Sequence, residues 1–245
     1  YQQREIQQLS HAVKDSPHTP AAELGFTTVE ILDAAVALMS AAIFDGDIGS
    51  ALRREKLALS AALAIGDLAG AFGLGRVVTE LSDFADRALD RAIAAAIQAR
   101  VPDAEPAGFI ALALGKHGAR ELNYSSDIDP ILLYDPERLP RRSRDEPGEA
   151  AQRVARTLMQ LMSHVDHEGY VFRVDLRLRP ASEVSPLAIP YEAALSHYES
   201  SALAWERAAF IRARACAGDV AAGEALLRFA AGLPPHEPVL LLVSG

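Results

Sequence analysis

Two aspartates, Asp127 and Asp129, have the spacing in this sequence that most directly suggests chemistry. Side chains alternate sides along an extended chain, so residues two apart point the same way. Two carboxylates held that close repel each other and raise each other's pKa unless a cation lies between them. A hard divalent cation such as Mg²⁺ meets that need, and Mg²⁺ bound by carboxylates usually also holds substrate phosphates.

Residues around this pair add candidate phosphate contacts. Gly115, in the run ALALGKHG, can turn the backbone close to a phosphate. The neighbouring Lys116 could contact that phosphate or simply be exposed. The hydroxyls of Ser125 and Ser126 could bind phosphate or cap the turn, and we favour phosphate because a substrate must reach that face. Together with the aspartates, these residues predict metal-dependent phosphoryl or nucleotidyl transfer.

A second segment, Val171 to Pro180, alternates apolar and charged residues in the run VFRVDLRLRP. The period of two predicts a half-buried strand with Asp175, Arg173, Arg177 and Arg179 on one face. A solvated face is one interpretation, because exposed strands can carry mixed charge. We favour a third metal carboxylate with guanidiniums placed for phosphate oxygens. Three carboxylates on two adjacent strands would hold two Mg²⁺ ions, which clamp the attacking and leaving oxygens of an in-line displacement.

Three tracts resemble the glutamine synthetase adenylyltransferase/deadenylylase family, and they are GKHGARELNYSSDIDPILLYD, GYVFRVDLRLRP and LAWERAAFIRARACAGD. The resemblance covers about residues 50–222. It implies the nucleotidyltransferase fold of the DNA polymerase beta superfamily. Enzymes of this family carry two such domains, of which the N-terminal one removes AMP from a tyrosine of glutamine synthetase and the C-terminal one adds it. ELNYSSDID, Arg173 and the WER tract are more similar to the adenylyl-removing half.

The resemblance implies that phosphate attacks the adenylylated tyrosine and releases ADP. Asp127, Asp129 and Asp175 would hold Mg²⁺, with two ions expected and Mn²⁺ able to substitute. Arg177 and Arg179 would bind phosphoryl oxygens and stabilise charge that develops in the transition state. The implied partners are glutamine synthetase, ATP, ADP and phosphate, with the regulatory PII protein acting through the family's full-length chain.

Arg173 bears on the direction of catalysis. A guanidinium there offsets the repulsion between an attacking phosphate and the phosphodiester it attacks. The transferring half more often has glutamate at this position. The alternatives are adenylyl transfer from ATP to glutamine synthetase, or a non-catalytic domain of this fold that senses nucleotide or binds a partner. The intact aspartates argue against the non-catalytic alternative.

The sequence departs from the family pattern at two places. Pro130 follows the aspartate pair where leucine is usual, and it lacks an N–H, so we expect the strand to begin at Ile131. The segment Ala181–Ser185 replaces a glycine-containing loop, which predicts negative φ for most of its residues.

The composition bears on whether the chain binds nucleic acid and on the cellular compartment in which it works. The chain has 245 residues, a formal net charge of −9 and a single cysteine. An acidic surface argues against a nucleic-acid partner, and one cysteine excludes an internal disulfide and fits a reducing cytoplasm. No apolar run approaches the 18 or so residues that suggest a membrane span. Because the chain starts at Tyr1 without methionine, we expect a fragment or lost residues.

The elements that must position these side chains form an α+β fold with a small mixed sheet flanked by helical subdomains. We expect a helical subdomain at 1–101, a catalytic core at 107–188 and a C-terminal helical segment at 189–245. Propensity and periodicity predict helices at about 28–44, 50–68, 77–98, 148–167, 190–199, 202–216 and 219–231, and strands at 109–114, 131–134 and 171–178. A short helix within 1–25 and a helical turn at 117–122 complete the prediction.

Other polar residues have weaker functional interpretations. His164 and His167 could form a zinc pair, although solvated histidines at a helix end are the commoner case. His117, beside Lys116, could be a ligand, although we favour a spectator role. The arginine-rich loop at 138–144 is expected to be solvated, with contact to an acidic partner as the alternative.

Overall fold

The computed structural model describes residues 27–41, 46–200 and 202–230. Three helices precede the sheet, and they are α1 Thr28–Ala41, α2 Ile48–Leu68 and α3 Leu74–Gln98. Their bounds agree with the predicted helices over the described residues. The predicted helix within 1–25, the predicted extension of α1 to residue 44 and most of the C-terminal tail lie outside the described residues.

Local capping explains where the first two helices begin. The Thr27 hydroxyl accepts a hydrogen bond from the backbone N–H of Glu30, and the Glu30 carboxylate accepts one from the backbone N–H of Thr27 at 2.7 Å. This reciprocal pair is a capping box. Asp47 caps α2, where its Oδ1 accepts hydrogen bonds from the N–H groups of Gly49 at 3.0 Å and Ser50 at 3.1 Å.

A mixed four-stranded sheet follows, and its strands are β1 Phe109–Ala113, β2 Pro130–Tyr134, β3 Ala188–Pro190 and β4 Arg214–Gly218. The spatial order is β3-β2-β1-β4, in which β1 is antiparallel to both neighbours and β2 is parallel to β3. The predicted α+β class and small mixed sheet are therefore confirmed. β2 begins at Pro130 rather than Ile131, and the proline is tolerated as the first residue of the strand.

Helices cover both faces of this sheet. Alternate residues of β1 face two separate cores, with Phe109 and Ala111 in one and Ile110 and Leu112 in the other. The first core contains the long helix α3 and α5, Pro147–Ser163, whereas the second contains α6, Tyr191–Ser200, and α8, Val220–Ala230. The short α4 is Gly115–Gly118 and α7 is Ala204–Ala209. No helix among the described residues has the length and apolar character that crossing a membrane requires.

The predicted strand at 171–178 is wrong, because this segment forms only an isolated parallel bridge between Val174 and Ile128. The Ile128 N–H donates to the carbonyl of Arg173 at 3.0 Å, and the Asp175 N–H donates to the carbonyl of Ile128 at 2.9 Å. The Asp175 carboxylate then accepts the N–H of Arg177 at 2.9 Å, which turns the chain and ends the extended run.

The predicted helix at 202–216 is also wrong in its C-terminal part. The chain forms α7, then a 3₁₀ turn at Phe210–Arg212, and then β4, which pairs with β1. Alanine favours helix, but tertiary pairing overrides a weak local preference. Small residues also suit this strand, because Gly223 of α8 packs so closely that an added Cβ would lie 2.7 Å from the Cβ of Ala215.

Candidate functional site

The candidate site lies where the end of β1, the start of β2 and the segment after Arg173 meet. Gly115 follows β1 with a φ of +56°, a conformation that glycine adopts without strain. A Cβ at this position would lie 3.0 Å from Oδ2 of Asp129. The sequence therefore needs glycine here both for the turn and for the close approach of the Asp129 carboxylate.

The two aspartates flank a fully buried Ile128, whose backbone bonds to the 173–175 segment bring Asp175 alongside. Burial raises the pKa of the Asp129 carboxyl, and the negative charges of Asp175 and Asp127 raise it further. Arg177 and Lys116 oppose that rise. Two predicted carboxylates and two predicted cations therefore lie close enough to Asp129 to change its pKa.

Two arginines pair with the outer carboxylates. Arg173 bonds through Nε to Asp127, through Nη1 to the Tyr170 hydroxyl at 2.8 Å and through Nη2 to the Ser125 carbonyl at 2.7 Å. Arg177 pairs with Asp175, and its hydrogen bond is the main reason that the pKa of the Asp175 carboxyl is lowered. Asp129 takes part in neither pair.

Arg179 has a different environment from the other predicted arginines. Its guanidinium donates to the carbonyls of Leu176 and Ser182, both at 2.7 Å, and to those of Ser185 and Pro186 at 3.2 Å. These bonds hold the 181–185 loop rather than leave the guanidinium open. Negative φ was expected for most of that loop, and Ala181, with a φ of +46°, is the exception.

The predicted phosphate-binding residues near the aspartates have different environments. Lys116 and Ser125 are exposed. The Ser126 hydroxyl accepts the N–H of Asn123 at 3.0 Å, and the Asn123 side chain accepts the N–H of Ser125 at 3.0 Å. Ser126 therefore caps the turn before Asp127, one of the two roles considered for it.

A buried network that the sequence did not reveal supports the Gly115 turn from behind. His117 is fully buried, with Nε2 2.7 Å from Oδ1 of Asp86. Arg214 donates to both Asp86 oxygens, at 2.6 and 2.9 Å, and to the His117 carbonyl at 3.1 Å. The network joins α3, α4 and β4 directly behind Lys116. No local signal could have found it, because Asp86 and Arg214 are 128 residues apart.

Cys216 lies beside this network. Among the residues that the structure describes, Asp86, His117 and Cys216 are the group of potential metal ligands whose ligand atoms all lie within 4.8 Å of one another. The guanidinium of Arg214 on both Asp86 oxygens opposes a second cation, so we interpret the group as an ion-pair network. Burial raises the pKa of the Cys216 thiol, which also disfavours a thiolate ligand. His164 and His167, considered as a zinc pair, are both exposed.

The stability of the chain should fall as the pH drops below about 6.5. Burial lowers the pKa of the His117 imidazole from its ordinary value of 6.5, so the unfolded state takes up this proton first. Urea denaturation should give a smaller free energy of unfolding at pH 5.5 than at pH 7.5. His117→Leu should reduce that pH dependence, and an unchanged difference in this variant would contradict the assignment to His117.

The aspartates form an all-oxygen donor set, which suits a hard cation such as Mg²⁺ rather than zinc. Burial raises the pKa of the Asp129 carboxyl, and the charges of Asp175 and Asp127 raise it further, so a cation beside this carboxylate would be favourable. The three aspartates are more widely spread than the Asp86 network, and Arg173 and Arg177 hold two of them. The three aspartates therefore fit a hard cation by their oxygen ligands and their negative charge.

The sequence was compared with known proteins. Residues 6–229 match the sequence model of the family described as glutamate-ammonia ligase adenylyltransferase. Similar curated proteins come from Caulobacter vibrioides, 42% identical over 233 residues, and Rhizobium meliloti, 42% identical over 199 residues. A protein of Rhodopseudomonas palustris is 41% identical over 216 residues. All three are named bifunctional glutamine synthetase adenylyltransferase/adenylyl-removing enzyme.

These matches cover 91%, 77% and 84% of this chain, but only 23%, 20% and 22% of the respective relatives. The chain therefore spans about a fifth to a quarter of the length of the proteins it resembles. The match with the family model nevertheless covers far more than half of this chain. The chain belongs to the glutamate-ammonia ligase adenylyltransferase family.

Proposed function

We propose that this chain carries a Mg²⁺-dependent site of the DNA polymerase beta-like nucleotidyltransferase type, which removes AMP from an adenylylated tyrosine of glutamine synthetase. The observation that carries the proposal is the geometry of the site: backbone bonds between Ile128 and the 173–175 segment place Asp175 beside Asp127 and Asp129, and the Gly115 turn lies close to the Asp129 carboxylate. Three neighbouring carboxylates next to a glycine turn are what a metal–phosphate site requires.

The proposed reaction is a phosphorolysis. An oxygen of hydrogen phosphate attacks the phosphorus of the tyrosyl-AMP diester, a new P–O–P linkage forms, and the bond from phosphorus to the tyrosyl oxygen breaks. The electron pair of that bond stays on the tyrosyl oxygen, which takes the proton that hydrogen phosphate carried. The products are ADP and the unmodified tyrosine side chain of glutamine synthetase. No protein nucleophile is needed.

The residues have separate roles in this proposal. Asp127, Asp129 and Asp175 would hold Mg²⁺, which supplies charge neutralisation at the phosphoryl oxygens. Arg177, whose side chain is 85% exposed, can exchange its carboxylate partner for a phosphoryl oxygen. Arg173 orients Asp127 and the Ser125 carbonyl. We assign Arg179 to holding the loop after Asp175, because its donors are bonded to loop carbonyls.

The test is incubation of the chain with adenylylated glutamine synthetase, Mg²⁺ and inorganic phosphate, with ADP release followed over time. We expect ADP formation that depends on phosphate concentration. Incorporation of AMP from ATP into unmodified glutamine synthetase, without phosphate-dependent ADP release, would assign the transferring activity instead. That Arg173 favours removal stays a prediction, because in the structure its three guanidinium nitrogens are bonded to Asp127, the Tyr170 hydroxyl and the Ser125 carbonyl.

Metal binding should raise the melting temperature of the isolated chain. At a Mg²⁺ or Mn²⁺ concentration ten times Kd, linkage predicts about 1.4 kcal/mol of stabilisation, or about 3–6 °C for a chain of this size. Differential scanning calorimetry measures this shift. Asp129→Asn should abolish it, whereas Asp103→Asn, in an exposed turn, should not. A shift that persists in Asp129→Asn would place the metal elsewhere.

A further inference from the structure

A cavity of about 220 Å³ opens beside the candidate site, and the proposed reaction has so far assigned no ligand to it. Ser126, next to Asp127 in the chain, and Tyr170, whose hydroxyl accepts a hydrogen bond from Arg173, both line it. Its opposite wall is formed by α2, which contributes Arg53 and Lys56. The cavity thus lies between the helical region and the Asp127–Arg173 pair.

The lining of the cavity includes two cationic side chains and several hydroxyls that can donate hydrogen bonds. Arg53, Lys56 and the hydroxyls of Ser126 and Tyr170 contribute to its lining. Glu168 is the only carboxylate among the described lining residues, and its oxygens are already engaged. One accepts from Arg54 at 2.6 Å and the other from the Ser50 hydroxyl. A ligand with hydrogen-bond acceptors and negative charge would complement the two cations of this lining.

Lys56 is the cation of the lining that lacks an anionic partner. Its ammonium lies 3.5 Å from the centre of the Phe172 ring, and no ion pair to a described carboxylate forms within 4.0 Å. Arg53, in contrast, pairs with Asp166 at 2.6 Å. An ammonium that is half-buried against an aromatic face is only partly compensated, because a cation–π contact replaces only part of the hydration that burial removes.

We propose that this cavity binds a tetrahedral oxyanion through Lys56, and that its occupant in the reaction is the inorganic phosphate co-substrate. The second part of this statement rests on the proposed phosphorolysis. The volume suits the ligand, because a water takes about 30 Å³, so the cavity holds a phosphate together with a few waters. Phosphate bound there would lie beside Ser126 and Tyr170, next to the Asp127–Arg173 pair.

Binding of such an anion should depend on pH in a defined direction. Burial lowers the pKa of the Lys56 ammonium to about 7, so this group loses its charge as the pH rises from 6 to 8. The other titratable groups facing the cavity are Arg53, Glu168, Tyr124 and Tyr170. Residues of these types ordinarily titrate outside that window. Oxyanion affinity should therefore fall as the pH rises, and binding near pH 7 should be accompanied by proton uptake.

The direct test is isothermal titration calorimetry of the chain with sodium sulfate and sodium phosphate, without metal and without glutamine synthetase. Sulfate does not titrate between pH 6 and 8, so its pH dependence reports on the protein. We expect Lys56→Met to lower the affinity for both anions by at least 10-fold, while the methionine keeps the contact with Phe172. The matched control Arg156→Met removes one exposed positive charge from α5 and should bind like the wild type.

Lys56→Arg separates charge from shape. A guanidinium stays protonated across this pH range, so this variant should bind sulfate with little dependence on pH. Wild-type affinity in Lys56→Met, or no sulfate binding by the wild type at about 10 mM, would overturn the anion site. Circular dichroism verifies that each variant is folded.

A kinetic arm tests the co-substrate assignment. In the ADP-release assay, Lys56→Met should raise KM for phosphate at least 10-fold and leave kcat within about 3-fold. An unchanged KM in an active variant would overturn the assignment of phosphate as occupant. If the wild type releases no ADP, the proposed function fails, and the calorimetric result still decides whether the anion site exists.

Discussion

Asp175→Asn should lower the rate of phosphate-dependent ADP release by on the order of 10³-fold or more. The amide keeps the size of the side chain but removes the negative charge that a metal ligand supplies. Asp175 also contributes to the raised pKa of Asp129, so its carboxylate acts on the centre of the site and not only on Arg177. Asp127→Asn should have an effect of the same order.

Controls separate loss of the metal site from loss of the fold. Asp175→Asn keeps an oxygen that can accept the Arg177 N–H, so the turn after it should persist and the melting temperature should stay close to that of the wild type. Asp103→Asn makes the same chemical change at an exposed position with a φ of +63°, which asparagine tolerates, and should keep full activity. More than a tenth of wild-type activity in Asp175→Asn at saturating Mg²⁺ would contradict the metal role.

The isolated bridge between Ile128 and Val174 can position the acidic side chains although the predicted strand does not form. Two backbone hydrogen bonds between Ile128 and the segment Arg173–Asp175 suffice to place the acidic side chains together. Beyond Asp175, a regular strand would keep Arg177 on the same face but would lack the backbone hydrogen bond from Arg177 to the Asp175 carboxylate. The turn instead folds the Arg177 guanidinium onto Asp175, which compensates the carboxylate's charge. The alternation of apolar and charged residues was informative about faces, but not about how long the extended segment continues.

Much of the fold follows from short-range pattern. The apolar periodicity of α3 and the continuous apolar runs of β1 and β2 are strong signals, and these elements lie close to their predicted positions. β4 carries a weak signal, because its central residues Ala215 and Ala217 favour helix when considered alone. Its pairing with β1 comes from tertiary contacts, which no local window contains.

The parts of the site that the sequence did not reveal depend on contacts between distant residues. Nothing near Lys56 in the chain distinguishes it from a solvated helical lysine, and its burial arises from Phe172, more than a hundred residues away. Arg179 was assigned to phosphate from its alternating position, but the carbonyls that it contacts belong to a loop whose path the sequence does not specify. Its role in substrate binding stays a prediction.

The second large expected effect concerns stability, and it comes from Asp86. Asp86→Ala should lower the free energy of unfolding by about 3–5 kcal/mol, the usual cost of removing one member of a buried ion pair. The side chains of Asp86 and Arg214 are only 17% and 18% exposed, so the guanidinium of the variant would keep a buried charge without its carboxylate. His117 would lose its Nε2 partner in the same step.

Urea denaturation of Asp86→Ala, Arg214→Leu and the double variant tests this account. The double variant should be more stable than Asp86→Ala, because it no longer buries an unpaired charge. As a control, Arg212→Ala breaks a pair with Glu121 whose side chains are 60% and 55% exposed, and it should cost less than about 1 kcal/mol. Equal losses for the buried and exposed pairs would show that burial does not set the energetics of this network. Since His117 adjoins Lys116, loss of the network should also loosen the Gly115 turn and reduce ADP release more than the Arg212 control does.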